Sequence, residues 1–188
     1  MHIPPCTPLS PRLSCRQPKA QIRPEPLIAD GHTLLALDPT LDWRGFDGAG
    51  NVEEVTNGFV RYFDLTVPLS LPRTDWVMSL EVGEHLHHAA ERMFFRNLHV
   101  HNRHGVIISW AGLGQAGVAH INNHDEAYVR ARFEEMGYSL DANLTYTLRK
   151  STDLRTPFPG IRFTYKVEPS AVRANILAFR RRTPSVVE

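Results

Sequence analysis

Cysteine is nearly absent from this chain of 188 residues, which contains only Cys6 and Cys15. Both lie in a proline-rich leader, so neither a disulfide framework nor a cysteine-based metal centre can be built. There is also no uninterrupted apolar run of about 18 residues, the length a membrane-spanning helix needs. An excess of one charge is lacking as well. The 21 Lys and Arg residues against 20 Asp and Glu leave a net charge of +1, which removes the main electrostatic argument for a nucleic-acid surface. The sequence thus predicts a soluble protein, assigned to the cytoplasm, with neither membrane nor nucleic acid as its partner. Nothing in it fixes the oligomeric state.

What is present suffices for a globular domain. Hydrophobic residues make up 42% and charged residues 22% of the chain, ordinary values for a folded soluble protein, and this length buries a substantial core. Three regions are expected. Residues 1–26 form an irregular leader, because Pro4, Pro5, Pro8, Pro11, Pro18, Pro24 and Pro26 remove amide donors and disfavour helix before them. Its cations, Arg12, Arg16, Lys19 and Arg23, resemble those of a transit peptide, but the prolines spoil the amphipathic helix such a peptide needs. Residues 27–182 form one α/β domain, and residues 183–188 a tail.

Within the domain the pattern alternates. Trp43 to Gly48 reads as a short strand ending in an Asp-Gly turn, followed by a helix-capable segment around Asn51 to Val55. Phe59 to Leu65 is a second strand, closing on Asp64. The run from Trp76 to Val82 is a buried strand that breaks at Gly83 and delivers Glu84 and His85. Leu86, Ala90, Met93, Phe94 and Leu98 then recur at helical spacing, with Glu91, Arg92 and Arg96 on other faces. Gly105 to Ala111 is a buried strand with β-branched residues at its centre, and residues 112–123 form a glycine-containing loop read as a mobile lid on the substrate side. Asp125 or Asn123 caps a helix carrying Val129, Phe133 and Met136, with Gly137 as its left-handed stop. Residues 34–37 allow a short helix or a strand, and residues 139–148 a strand-like or mixed segment. Residues 156–169 read as a proline-containing excursion, and Asn175 to Arg180 as a last strand.

Short apolar strands alternating with helices are the signature of a layered α/β sheet. In such sheets ligands lie beyond the carboxyl ends of the strands. Asp47, Asp64, Glu81, Glu84, His85 and the 112–123 loop all fall at or just past those ends, which makes them the candidate site.

Taken in order, Gly45-Phe46-Asp47-Gly48, Asp64-Leu65-Thr66, Asp75 to His85, Gly105 to Trp110, the Gly-Gln-Ala-Gly-Val-Ala-His-Ile-Asn-Asn loop and Asn175 to Arg181 resemble the middle and end of a class I S-adenosylmethionine-dependent methyltransferase. The resemblance covers about residues 43–150 and 173–182. It implies a Rossmann-like three-layer sandwich with a mostly parallel sheet. It further implies S-adenosylmethionine as cofactor, an unidentified or small-molecule methyl acceptor as partner, and methyl transfer as activity. Asp47, ending the family's second strand, would hold the ribose hydroxyls, with Gly48 beside it; a carboxylate suits two adjacent donors because it only accepts. Asp64, ending the third, would lie near the adenine amino group, with Leu65 on the purine. Glu81 borders the cofactor at the fourth strand, and Glu84, His85 and His120 are the catalytic candidates, an imidazole serving as base where the acceptor must lose a proton.

One departure stands out. The family's first strand ends in a glycine-rich turn, whereas residues 27–42 contain no Gly-x-Gly, so the first strand is missing or degenerate and cofactor binding would be impaired. A non-catalytic methyltransferase-like remnant, or interaction module, is therefore the alternative. No metal site is assigned. His85, His87 and His88, then His99, His101 and His104, are spaced so that a helix would point them to different faces, and solvated helix faces account for them. A metal-binding hydrolase is the third and least favoured reading.

Overall fold

In the computed structural model the described residues are 35–36, 38–151 and 174–182. The leader, the 156–169 excursion and the tail lie outside them, as does most of the 34–37 cluster, of which Leu35 and Ala36 are helical. The described chain is mixed α/β and forms two sheets. Strands β1 (Gly45–Asp47) and β2 (Val60–Tyr62) pair in parallel, with helix α1 (Val52–Val55) between them in sequence. The larger sheet contains β3 (Thr74–Ser79), β4 (Asn102–Ile108), β5 (Tyr138–Leu140) and β6 (Leu177–Arg181) in the order β3-β4-β6-β5. The pair β3 and β4 is parallel, while β6 runs antiparallel to both β4 and β5. Three of its four strands therefore share one direction, the mostly parallel arrangement expected.

The connections follow from the sequence. A parallel β3-β4 pair needs a crossover, and helix α2 (His88–Val100) supplies it. Helix α3 (Glu126–Glu135) begins where Asp125 Oδ1 accepts from the Tyr128 amide at 2.8 Å, and ends before Gly137, whose φ of +87° needs a residue without a side chain. The mixed 139–148 segment resolves into β5 followed by helix α4 (Ala142–Ser151).

The main core gathers Phe94, Phe95 and Leu98 of α2, Val106 and Ile108 of β4, Val129 and Phe133 of α3, and Tyr138, Leu177, Phe179 and Trp110. Phe133 stacks on Phe179 with centroids 4.4 Å apart and meets Phe95 edge-on at 5.4 Å. Burying each such ring contributes about 1.5–3 kcal/mol. A second, small cluster of Ala49, Val52 and Val60 sits under β1 and β2.

Three expectations need correction. β3 is not buried on both faces: Met78 is 37% exposed and Asp75 is exposed, β3 being the end strand of its sheet among the described residues. The second strand ends at Tyr62, two residues before Asp64. Glu91, expected on a face of α2 other than the apolar stripe, is buried. In a doubly wound sheet the first strand lies between the second and the fourth; among the described residues no strand joins β1 to β3.

Candidate functional site

The apolar strand β3 stops at Ser79, and a tight passage follows. Glu81 takes a left-handed φ of +52°, its amide donating to Ser109 Oγ at 2.9 Å. Gly83 to His85 then make one 3₁₀ turn. Gly83 is required here by contact: a Cβ on it would lie 2.4 Å from the Trp110 ring. Trp110 is in turn fixed by its indole N–H, which donates to the Asn122 carbonyl at 2.7 Å.

That turn faces the 112–123 loop. The loop is tied down rather than free. The amides of Ile121 and Asn122 donate to the Glu84 carbonyl at 2.9 and 3.0 Å, and Asn123 Nδ2 donates to the carbonyls of Gly112 and Gln115, both at 2.9 Å. Its side chains are nonetheless largely exposed, Leu113, Val118 and Ile121 among them. Ala119, with a φ of +59°, turns the chain so that His120 meets His85, ring centroids 5.0 Å apart and edge to face. His85 Nδ1 lies 3.3 Å from the Ala119 carbonyl. Gly117 makes room for the His120 ring, since a Cβ there would sit 2.1 Å from Nε2.

The electrostatics of this corner are unusual. Glu84 is 0% exposed, and neither of its carboxylate oxygens has a hydrogen-bond partner. Burial, then the adjacent Glu81 carboxylate, push its pKa up to about 8, against the weaker pull of nearby amides. His85 is shifted down, mainly by burial and then by His120, with the Ala119 carbonyl, Glu81 and Asp47 opposing. It is therefore a neutral imidazole near pH 7 and able to accept a proton. Asp47 is shifted up by burial; the Ala49 amide and His85 act the other way.

The structure thus brings Asp47, Glu81, Glu84, His85 and His120 to one edge. Asp47 Oδ1 accepts from the Ala49 amide at 2.6 Å, closing the turn that exposed Gly48 completes. Asp64 stands apart and is exposed, its Oδ1 accepting from the Thr66 amide at 2.9 Å and from its hydroxyl at 2.5 Å. Leu65 packs against the main core. Among the other histidines, His87 caps α2 by accepting from the Ala89 amide, and His104 is exposed near Asp75. Solvation does not explain His101, which is buried, with Nδ1 2.7 Å from the Asn97 carbonyl and Nε2 accepting from the Leu71 amide. His99 is half-buried against Tyr138.

A neighbouring network went unread in the sequence. The buried Glu91 carboxylate accepts from the Tyr128 hydroxyl, from Asn122 Nδ2 at 3.0 Å and from His124 Nε2 at 3.0 Å. Burial alone would raise its pKa, but these donors hold it below the ordinary glutamate value. Tyr128 is pushed up to about 12 by burial and by Glu91. The available signal was Glu91 sitting three residues before Phe94 on the stripe side of α2.

No protein-family model matches the chain, and no curated protein does. Solved structures do. The StiE O-MT segment aligns at a TM-score of 0.51 and 16% identity, over 84% of this chain and 65% of that one. Magnesium protoporphyrin IX methyltransferase from Synechocystis PCC 6803, with bound SAM, aligns at 0.45 and 18% identity, over 74% and 59%. A Burkholderia thailandensis 1,6-didemethyltoxoflavin-N1-methyltransferase aligns at 0.43 and 13%, over 88% and 80%. The chain spans less than two thirds of the length of the first two. At these identities the likeness is one of fold alone, a Rossmann-like α/β arrangement shared with the StiE O-MT segment.

Proposed function

We propose that this chain is a methyltransferase-type domain that transfers a methyl group from S-adenosylmethionine to a small-molecule acceptor. The observation that carries the reading is the convergence of Asp47, at the carboxyl end of β1, with Glu81, Glu84, His85 and His120 beyond the end of β3. Asp47 fits a cofactor ribose: it is half-buried, and Oδ2 lies outside the turn that occupies Oδ1. Asp64 fits the adenine end less well, since Thr66 already occupies its Oδ1. When bound, the cofactor supplies an electrophilic methyl on a sulfonium.

The chain's own part is then positional. Asp47 accepts from the ribose hydroxyls, and the strand-end loops exclude water and align the acceptor, which is worth several kcal/mol of barrier when reacting atoms are held near contact. His85, neutral and half-buried, accepts the acceptor's proton; His120, stacked edge-on against it, fixes its ring.

Calorimetric titration of the full chain with S-adenosylmethionine or its demethylated product tests the reading. Binding is expected, and Asp47→Ala should weaken it by about 1–3 kcal/mol, because two hydroxyl donors lose their acceptor in a closed site. An unchanged dissociation constant removes Asp47 from the site. Absence of binding to a folded sample favours the second reading, a non-catalytic interaction module. The observation on that side is that no described strand joins β1 to β3, where a cofactor turn would be carried.

A further inference from the structure

Nine buried side-chain nitrogen and oxygen atoms among the described residues have no hydrogen-bond partner, and four of them belong to Glu81, Glu84 and His120. An orphaned buried polar atom costs about 1–3 kcal/mol, and natural structures retain few without a reason. Here the orphans converge. One ligand atom from each of Glu84, His85 and His120 lies within 4.8 Å of the others, and the second carboxylate, Glu81, is a close enough neighbour to act on Glu84.

We propose that Glu84, His85 and His120 bind a divalent transition-metal ion of the zinc type. Two imidazoles and a carboxylate are a donor set that suits such an ion and leaves a coordination position open to water or to a ligand oxygen. A tetrahedral shell at about 2.1 Å places neighbouring donors about 3.4 Å apart, so the ion draws the three inward. The surroundings are arranged as a ligating histidine requires. His85 Nδ1 facing the Ala119 carbonyl at 3.3 Å leaves Nε2 for the metal, since ligating imidazoles give their other N–H to such an acceptor. His120 offers a buried Nδ1 without a partner. The cation also resolves the juxtaposition of the Glu84 and Glu81 carboxylates, three of whose four oxygens are buried without a partner. Backbone strain marks the same place: Glu81 and Ala119, two of the three non-glycine residues with positive φ among the described residues, flank the cluster, and such strain persists where a site over-determines it. With the ion bound, His85 is a ligand rather than a free base, and a water or hydroxide in the open position, its pKa lowered by the ion, would take the acceptor's proton in its place.

The test uses the full chain, stripped with chelator and titrated with Zn²⁺ without any methyl donor, so it succeeds or fails independently of cofactor binding. We expect one ion per chain, a rise in melting temperature on loading, and a tetrahedral d–d spectrum when Co²⁺ is substituted. Glu84→Gln and His120→Ala should each weaken binding at least tenfold. Gly117→Ala, which displaces the His120 ring while leaving all three ligating residues in the chain, should weaken it too, whereas His104→Ala and His87→Ala should leave it unchanged. Sub-stoichiometric binding by folded protein, or affinity lost in His104→Ala or His87→Ala but kept in Glu84→Gln and His120→Ala, would overturn the assignment.

Discussion

Glu91 shows how one residue can tie a helix to a loop. Its carboxylate takes donors from α3 through Tyr128 and from the segment leading into α3 through Asn122 and His124, and Asn122 also carries the Trp110 anchor on its carbonyl. Because the folded pKa is depressed, the stability it contributes is full above the unfolded value of about 4.5 and is lost as pH falls through the lower folded value. Glu91→Gln is expected to cost about 1–3 kcal/mol at pH 7, the loss of a charge-assisted set of bonds. Urea midpoints at pH 7 and below pH 4 should therefore converge for variant and wild type as the solution is acidified. Equal midpoints at pH 7 would show the network to be stabilised by packing alone.

At the scale of elements, α3 depends on its cap. Its burial face is carried by Val129 and Phe133, while most of its surface is charged, so the isolated segment has little to hold it in register. Asp125→Ala should destabilise the fold by about 1 kcal/mol, measured by thermal or urea unfolding. The same substitution releases the Tyr128 amide and loosens the ring that stacks on His124 at 3.7 Å. Helices and strands with long, clean patterns were legible: α2, α3, β4 and β6 follow from apolar periodicity and from Asp125 and Gly137. Less legible was Tyr138 to Ser151, because three residues of strand directly abut a helix and neither has room to show its period. For the same reason β3 looked fully buried: Trp76-Val77-Met78 is an apolar run, but its position at a sheet edge is a tertiary fact.

At the scale of the whole molecule, the candidate site was legible as far as strand ends are. Glu81, Glu84 and His85 follow from the break at Gly83, and Asp47 from its Asp-Gly turn. That His120 returns from a loop to face His85, and that Leu65 turns to the core, depends on pairings 30 or more residues apart that leave no local pattern, whereas Asp64 turns to Thr66 two residues on. The methyltransferase-like order of segments was the more informative signal, and it also located the interruption. Among the described residues there are a parallel pair and a four-stranded sheet in place of one continuous sheet, and Asn97 ties α2 to the segment between them, its amide spanning the Leu65 and Val67 carbonyls at 3.0 and 2.8 Å and accepting from the Leu69 amide at 3.1 Å.

The parallel pair has consequences for how the protein breathes. With three residues per strand and a cluster of Ala49, Val52 and Val60, it has few bonds to break before it opens, and cooperative units of that kind exchange amide hydrogens ahead of the global core. The amide of Phe63, which donates across the pair to the Asp47 carbonyl at 2.9 Å, should lose protection at lower free energy than those of Val106 and Ile108, as native-state exchange would show; equal protection would mean that the two sheets unfold as one. Asp47 belongs to the faster unit, while Glu84, His85 and His120 belong to the slower one or its loop. A ligand spanning both acts as a rivet between them, and its binding would be recorded as slowed exchange in β1 and β2.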